Sequence, residues 1–137
     1  MPRILAIDYG AKRTGLAVTD PLRIIANSLD VIASHNLENY LKDYFSTEEI
    51  STVVIGDPKN IDGSNTDATI LVQAFINRFK KVFPDKQFTL HDERFTSKMA
   101  KDAMIMGGMK KKNRRNKGNI DKISATIILQ SYLELNS

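Results

Sequence analysis

The chain has 137 residues, 42% of them hydrophobic and 26% charged, the size and balance of one soluble globular domain with a single core. It contains no cysteine, which excludes disulfides, thiolate zinc sites, iron–sulfur clusters and a cysteine nucleophile, and its two histidines, His35 and His91, are too few for a histidine-rich metal site. The formal net charge of +4 is concentrated in one place: Lys110 to Lys117 (KKKNRRNK) holds six Lys or Arg and no acid, leaving 14 bases against 16 acids elsewhere, so a slightly acidic body carries one basic run.

Arg3 to Asp8 (RILAID) is an apolar run closed by an acid and reads as a buried strand. Tyr9 to Arg13 is turn-like around Gly10, and Thr14 to Thr19 reads as a hairpin partner stopped by Asp20-Pro21. Ser28 to Ala33 is a weaker third strand, so the chain is expected to open with an antiparallel meander. The period then changes. Leu37, Tyr40, Leu41, Tyr44 and Phe45 lie on one helical stripe, with Asn36 placed to cap it. Thr52 to Gly56 (TVVIG) has the β-branched look of a strand buried on both faces. Asp57 to Asn65 is rich in loop formers, and Thr66 to Phe83 carries a second helical stripe that Pro84 ends. Phe88 to Arg94 (FTLHDER) is a fifth strand candidate, and Ser97 is positioned to cap a helix carrying Met99, Ala100, Ala103 and Met104 up to Gly107-Gly108. The basic run follows and closes at Gly118; with little apolar content and strong self-repulsion, Gly107 to Gly118 is expected to be flexible without a partner. A last helix, Ile120 to Leu135, is apolar on most sides and should be well buried. The order βββαβαβαα indicates one α/β domain over residues 1–137 with a mixed sheet.

Three places carry acids at the ends of apolar elements: Asp8 after the first strand, Asp92 and Glu93 at the end of the fifth, and Asp121 in the first turn of the last helix. Ligand sites of open α/β sheets collect at the C-terminal ends of strands, so these acids are placed to converge. Converging carboxylates need a counter-charge, and a hard divalent cation with oxygen ligands supplies one. Taken singly, acids at such positions are commonly solvated or act as caps. Alternation does not choose between Asp92 and Glu93, because both faces of that strand can be buried. Gly10 and Gly15 bracket the first turn and permit close backbone approach, and Arg13 between them is suited to a phosphate oxygen. Gly56-Asp57-Pro58 and Asp62-Gly63 read first as loop punctuation.

Asp8-x-Gly10-x-x-Arg13-x-Gly15-x-Ala17 with Val18-Thr19-Asp20, then Gly56-x-Pro58 with Asp62-Gly63, then Asp92-Glu93-Arg94-x-Thr96, and finally Asp121-x-x-x-Ala125 leading into Ile128 to Leu133 together resemble the YqgF (RuvX) family of Holliday junction resolvase-like nucleases. The resemblance covers nearly the whole chain in order. It implies an RNase H-like α/β fold, with a five-stranded mixed sheet of three antiparallel and two parallel strands, and a cytoplasmic protein. It also implies Asp8, Glu93 and Asp121 as catalytic, metal-holding acids for Mg²⁺ or Mn²⁺, Glu93 being preferred to Asp92 on the family pattern. The activity implied is endonucleolytic hydrolysis of phosphodiester bonds in structured nucleic acid. The substrate is either the 5′ end of the small-subunit ribosomal RNA precursor or a Holliday junction, and the protein a monomer or a homodimer. Arg13 with Lys110, Lys111, Lys112, Arg114, Arg115 and Lys117 are the residues expected to touch the polyanion. Asp57 departs from the family's apolar or aromatic residue at that position, and Thr126 from its second alanine.

Two other readings compete. An actin-like nucleotide switch shares the glycine turn, but needs two related domains facing a cleft. A noncatalytic RNA- or ribosome-associated module would use the basic run alone and tolerate loss of all three acids. No apolar stretch approaches the ~20 residues that span a bilayer, and the opening MPRILAID lacks the pattern of a signal peptide, so neither a membrane nor export is expected.

Overall fold

The computed structural model of the chain describes residues 2–59, 62–93 and 117–135, with side chains of the last group from 123 onward. Its elements are β1 (Arg3–Asp8), β2 (Arg13–Thr19), β3 (Ala26–Ala33), α1 (Leu37–Thr47), β4 (Ile50–Asp57), α2 (Asp67–Val82), β5 (Phe88–Asp92) and α3 (Lys117–Leu135). The five strands form one sheet in the order β3-β2-β1-β4-β5. β1 pairs antiparallel with β2, and β2 with β3, whereas β1–β4 and β4–β5 are parallel. The meander and the mixed sheet are as the sequence leads one to expect.

Strand alternation divides the core into two layers. On one face Leu5, Ile7, Leu16, Val53 and Ile55 pack with Leu37 and Leu41 of α1 and with Val72, Ile76 and Phe79 of α2. This layer is aromatic: Phe79 contacts the rings of Phe75, Phe83 and Phe88 at centroid distances of 5.9, 5.2 and 6.0 Å. On the other face Ile4, Ala6, Ala17 and Val54 meet Ala125, Ile128 and Leu129 of α3. The alanines let this helix lie close to the sheet. β4 contributes Val53 and Ile55 to one layer and Val54 to the other, so it is buried on both faces, as its composition indicates.

Two local expectations are corrected. Asn36 does not cap α1 with its side chain; it sits in a 3-10 turn (Ser34–Asn36) at φ −97° and ψ −3°, a helical conformation that keeps the side chain away from the orphan N–H groups. The last helix begins at Lys117 rather than Ile120, so Gly118 lies inside it and no acid falls in its first turn. A glycine costs a helix only ~1 kcal/mol, which does not stop one whose later turns are packed on a sheet. The dipole advantage expected for Asp121 is correspondingly smaller, since that effect fades after the first turn. α2, by contrast, is capped by Thr66, whose hydroxyl accepts from the Thr69 N–H at 3.1 Å while Thr69 Oγ1 accepts from the Thr66 N–H at 2.9 Å. The helix expected after Ser97 and the flexibility expected of Gly107 to Gly118 lie outside the described residues, apart from the start of α3.

Candidate active site

The C-terminal ends of β1, β4 and β5 lie side by side because the three strands run parallel. Ile7 is level with Ile55, so the next residues, Asp8 and Gly56, are level too. Across β1's other edge Asp8 faces Gly15 of β2. Asp8 shares the α3 side of the sheet with Ile4 and Ala6 by alternation, and it is flanked on both neighbouring strands by residues without side chains. Tyr9 points the opposite way and stacks on Phe75 of α2, with ring centroids 4.6 Å apart and planes 10° from parallel. The backbone that presents Asp8 is thus fixed from behind.

Glu93 follows β5 directly, its N–H donating to the Asp57 carbonyl at 3.1 Å. Its side chain crosses over Gly56 and hydrogen-bonds to Asp8, two strands away. Gly56 makes this crossing possible. A Cβ there would stand 2.7 Å from Glu93 Cδ, 2.9 Å from Glu93 Oε2 and 2.9 Å from Ile128 Cδ1. Any other residue would push Glu93 off the sheet or lift α3. Asp92 is exposed and takes the opposite face, level with Asp57, whose carboxylate is 3.8 Å from Lys59 Nζ. Burial pushes the Glu93 carboxyl up to about 9, with the Asp8 charge, the hydrogen bond to Asp8 and the charges of Asp57 and Asp92 acting in the same direction. At neutral pH Glu93 therefore keeps its proton, which it shares with Asp8 through their hydrogen bond.

The turn between β1 and β2 is braced by Ser34. Its hydroxyl donates to the Gly10 carbonyl at 2.6 Å and bonds Thr14 Oγ1 at 2.8 Å, while its N–H donates to the Lys12 carbonyl at 2.9 Å. Gly10 is required by contact, because a Cβ there would stand 2.5 Å from the Arg13 carbonyl oxygen. Arg13 is exposed at the start of β2 and, by alternation with Gly15 and Ala17, lies on the Asp8 side of the sheet. On β5, His91 Nε2 is 2.9 Å from Ser131 Oγ, a link between the edge strand and α3; burial lowers the His91 pKa, opposed by the charge of Asp92.

Of the residues singled out in the sequence, Asp8 and Glu93 are therefore brought together, and Arg13 stands on their side of the sheet. Asp121 is in α3, with its side chain outside the described residues, as is that of Lys117; Lys110, Lys111, Lys112, Arg114 and Arg115 are outside them altogether. Among the described residues no three His, Asp or Glu side chains form a metal-holding group. The pair nonetheless suits a hard cation: both donors are carboxyl oxygens, and their shared proton occupies the place that a positive charge would take. The sequence marks Gly56 as a strand end, as loop punctuation and as part of the family pattern, but gives it no place in the site. The signal for it was available, since a glycine ending a β-branched strand marks close approach by another group.

Comparison with known proteins accords with this geometry. A family model described as "RuvX: Holliday junction resolvase" matches residues 2–135. A protein of Flavobacterium johnsoniae described as "Putative pre-16S rRNA nuclease" is 52% identical over 133 residues, covering 97% of this chain and 96% of that protein. One of Phocaeicola vulgatus with the same description is 48% identical over 134 residues, covering 98% and 96%. Among solved structures, Fowlpox virus resolvase in complex with substrate Holliday junction DNA superposes with a TM-score of 0.61 at 15% identity, covering 98% of each chain. T. thermophilus RuvC in complex with Holliday junction substrate gives 0.59 at 14% identity, covering 98% and 96%. At such identities the likeness is one of fold, the RNase H-like arrangement that the sequence resemblance implies. With nearly all its length matched and relatives about half identical, the chain belongs to the RuvX family of Holliday junction resolvases.

Proposed function

We propose that the chain is a divalent-metal-dependent endonuclease that hydrolyses phosphodiester bonds in structured nucleic acid, acting in the cytoplasm. The observation that carries this reading is the Asp8–Glu93 carboxyl pair held over Gly56 at the ends of parallel strands. Asp8 and Glu93 would hold Mg²⁺ or Mn²⁺. Asp121 is proposed as their third partner, because it stands four residues before Ala125 and seven before Ile128, the spacing that repeats the sheet-facing stripe of α3. Such an ion supplies positive charge that eases ionisation of the attacking water and offsets charge building on the phosphate oxygens.

The chain's own residues do the rest. Gly56 makes room for the Glu93 carboxyl, Gly15 leaves the other flank of Asp8 without a side chain where a backbone phosphate can approach, and Tyr9 and Ser34 hold the turn so that Asp8 does not swing away. Arg13 is placed to pair with a phosphate oxygen, and the Lys110 to Lys117 run supplies long-range attraction that the acidic body lacks. Relatives about half identical carry the description "Putative pre-16S rRNA nuclease", so the 5′ end of that precursor is the first substrate to test, with the four-way DNA junction beside it. The experiment is cleavage of both labelled substrates with Mg²⁺ or Mn²⁺. Metal-dependent cleavage of either, lost in Asp8→Asn, is the expected result. Binding without cleavage, unchanged in Asp8→Asn, would replace the enzyme with a noncatalytic binding module.

A further inference from the structure

On the side of the sheet away from α3, a groove of about 580 Å³ runs between α2 and the β5 edge, with Asp57 at one end. Its chemistry differs from an ordinary solvated helix face, which carries Lys and Glu. Along α2 the groove presents Gln73 and Asn77, with Asn65 ahead of the helix, and none of these carries a charge. Gln73 Nε2 donates to Asn77 Oδ1 at 3.3 Å, which orients the two amides as one row and leaves each with further hydrogen-bonding capacity. Beside this row two large aliphatic side chains are left open, Ile70 at 68% and Leu90 at 46% exposure. The two ionic groups lining the groove, Lys59 and Asp57, are paired with each other. Beyond Asn77 the same helical stripe reaches Lys80, whose Nζ lies 5.6 Å from the Phe88 ring centroid on β5.

We propose that this groove is a subsite for unpaired nucleobases of the polynucleotide strand whose backbone is cut at the acid pair; the proposal rests on the nuclease reading above. Neutral amides in a row are the side chains that recognise base edges with paired donors and acceptors, and exposed aliphatics give a base face a dry surface. The lysine that lines the groove is held by Asp57 and the amide row carries no charge, so the groove offers a phosphate little and takes bases, leaving the backbone outside. Lys80 at the far end is the backbone contact. From Thr69 to Lys80 the stripe is about 16 Å long, which at 3.4 Å per stacked nucleotide admits at most about five. Asp57 lines the groove, and its carbonyl accepts the Glu93 N–H, so the groove ends at the strand tips whose opposite face carries the acid pair, and an unpaired strand lying here reaches that pair by turning over this end of the sheet.

The test uses the full chain carrying Gln73→Ala with Asn77→Ala, both exposed positions whose loss should leave the melting temperature unchanged. Affinities for short labelled unpaired RNA and DNA oligonucleotides are measured across several salt concentrations, and cleavage of the precursor RNA and the junction is followed in parallel. The double variant should bind one oligonucleotide type about tenfold more weakly with an unchanged salt slope, because base contacts release no counterions. Its KM should rise with kcat held. Lys80→Ala should instead lower the slope by about 0.7. Equal affinity of wild type and double variant for both RNA and DNA would overturn the subsite. If the wild type cleaves nothing, the nuclease reading falls, while the binding titration still decides the groove.

Discussion

The two faces of the sheet are built from opposite materials. The face under α1 and α2 is filled with large side chains: Leu5, Ile7, Leu16, Phe79 and their aromatic neighbours. The face under α3 is built of smaller residues, Ala6, Ala17, Gly15 and Gly56 beside Ile4 and Val54, and its open end carries two carboxyl groups that share a proton. The first face contributes stability, since fully burying a large apolar side chain is worth about 1.5–3 kcal/mol. The second gives some of that up. Gly56 buries no side chain and Glu93 takes a carboxyl group out of water, and what results is a pocket in which Asp8 and Glu93 stay together. A substitution on one face should therefore be felt mainly in folding, and one on the other mainly in chemistry.

The largest expected break in this division is Phe79→Ala. Phe79 is 1% exposed at the centre of the aromatic layer, and its removal should cost about 3–5 kcal/mol in urea unfolding while the protein that remains folded keeps its turnover. Asp8→Asn is the mirror case. Cleavage should fall by about 10²- to 10³-fold, the scale of losing one group that stabilises transition-state charge, with folding kept because Asn Oδ1 can still accept a hydrogen bond from protonated Glu93. Turnover within a factor of two of wild type would remove Asp8 from the site.

Gly56→Ala joins the two effects. The added Cβ meets both Glu93 and Ile128, so overpacking should cost about 1–3 kcal/mol and cleavage should fall with it. A stable Gly56→Ala protein with full activity would mean that Glu93 need not lie over the strand. The last effect is graded. With its pKa raised to about 9 in the folded chain, Glu93 binds a proton more tightly folded than unfolded. Its contribution to stability is complete below about pH 4.5, the ordinary carboxyl range, and is lost as pH rises through about 9. Without metal the melting temperature should decline across that window. Glu93→Gln should flatten the decline, as should saturating Mg²⁺, which replaces the proton. A metal-free profile that rises with pH over the same range would contradict the paired-carboxyl site.

What the sequence determined by itself is whatever depends on neighbours along the chain. The apolar runs Arg3 to Asp8 and Thr52 to Gly56, and the stripes of α1 and α2, specify the elements, while composition isolates the positive charge in one run. The acids at strand ends were visible for the same reason. What only the tertiary structure decided is which residues become level across strands. Alternation along β5 leaves Asp92 and Glu93 equivalent; the register with β4 places Asp92 beside Asp57 on the open side and turns Glu93 toward Asp8. Gly56 looks like punctuation until that register sets it between the two acids. Gln73 and Asn77 look like an ordinary helix surface until β5 closes the other wall of their groove. Local sequence sets the direction of a side chain relative to its own backbone, whereas what stands opposite depends on hydrogen-bond register and helix placement, which the packing of the whole chain settles.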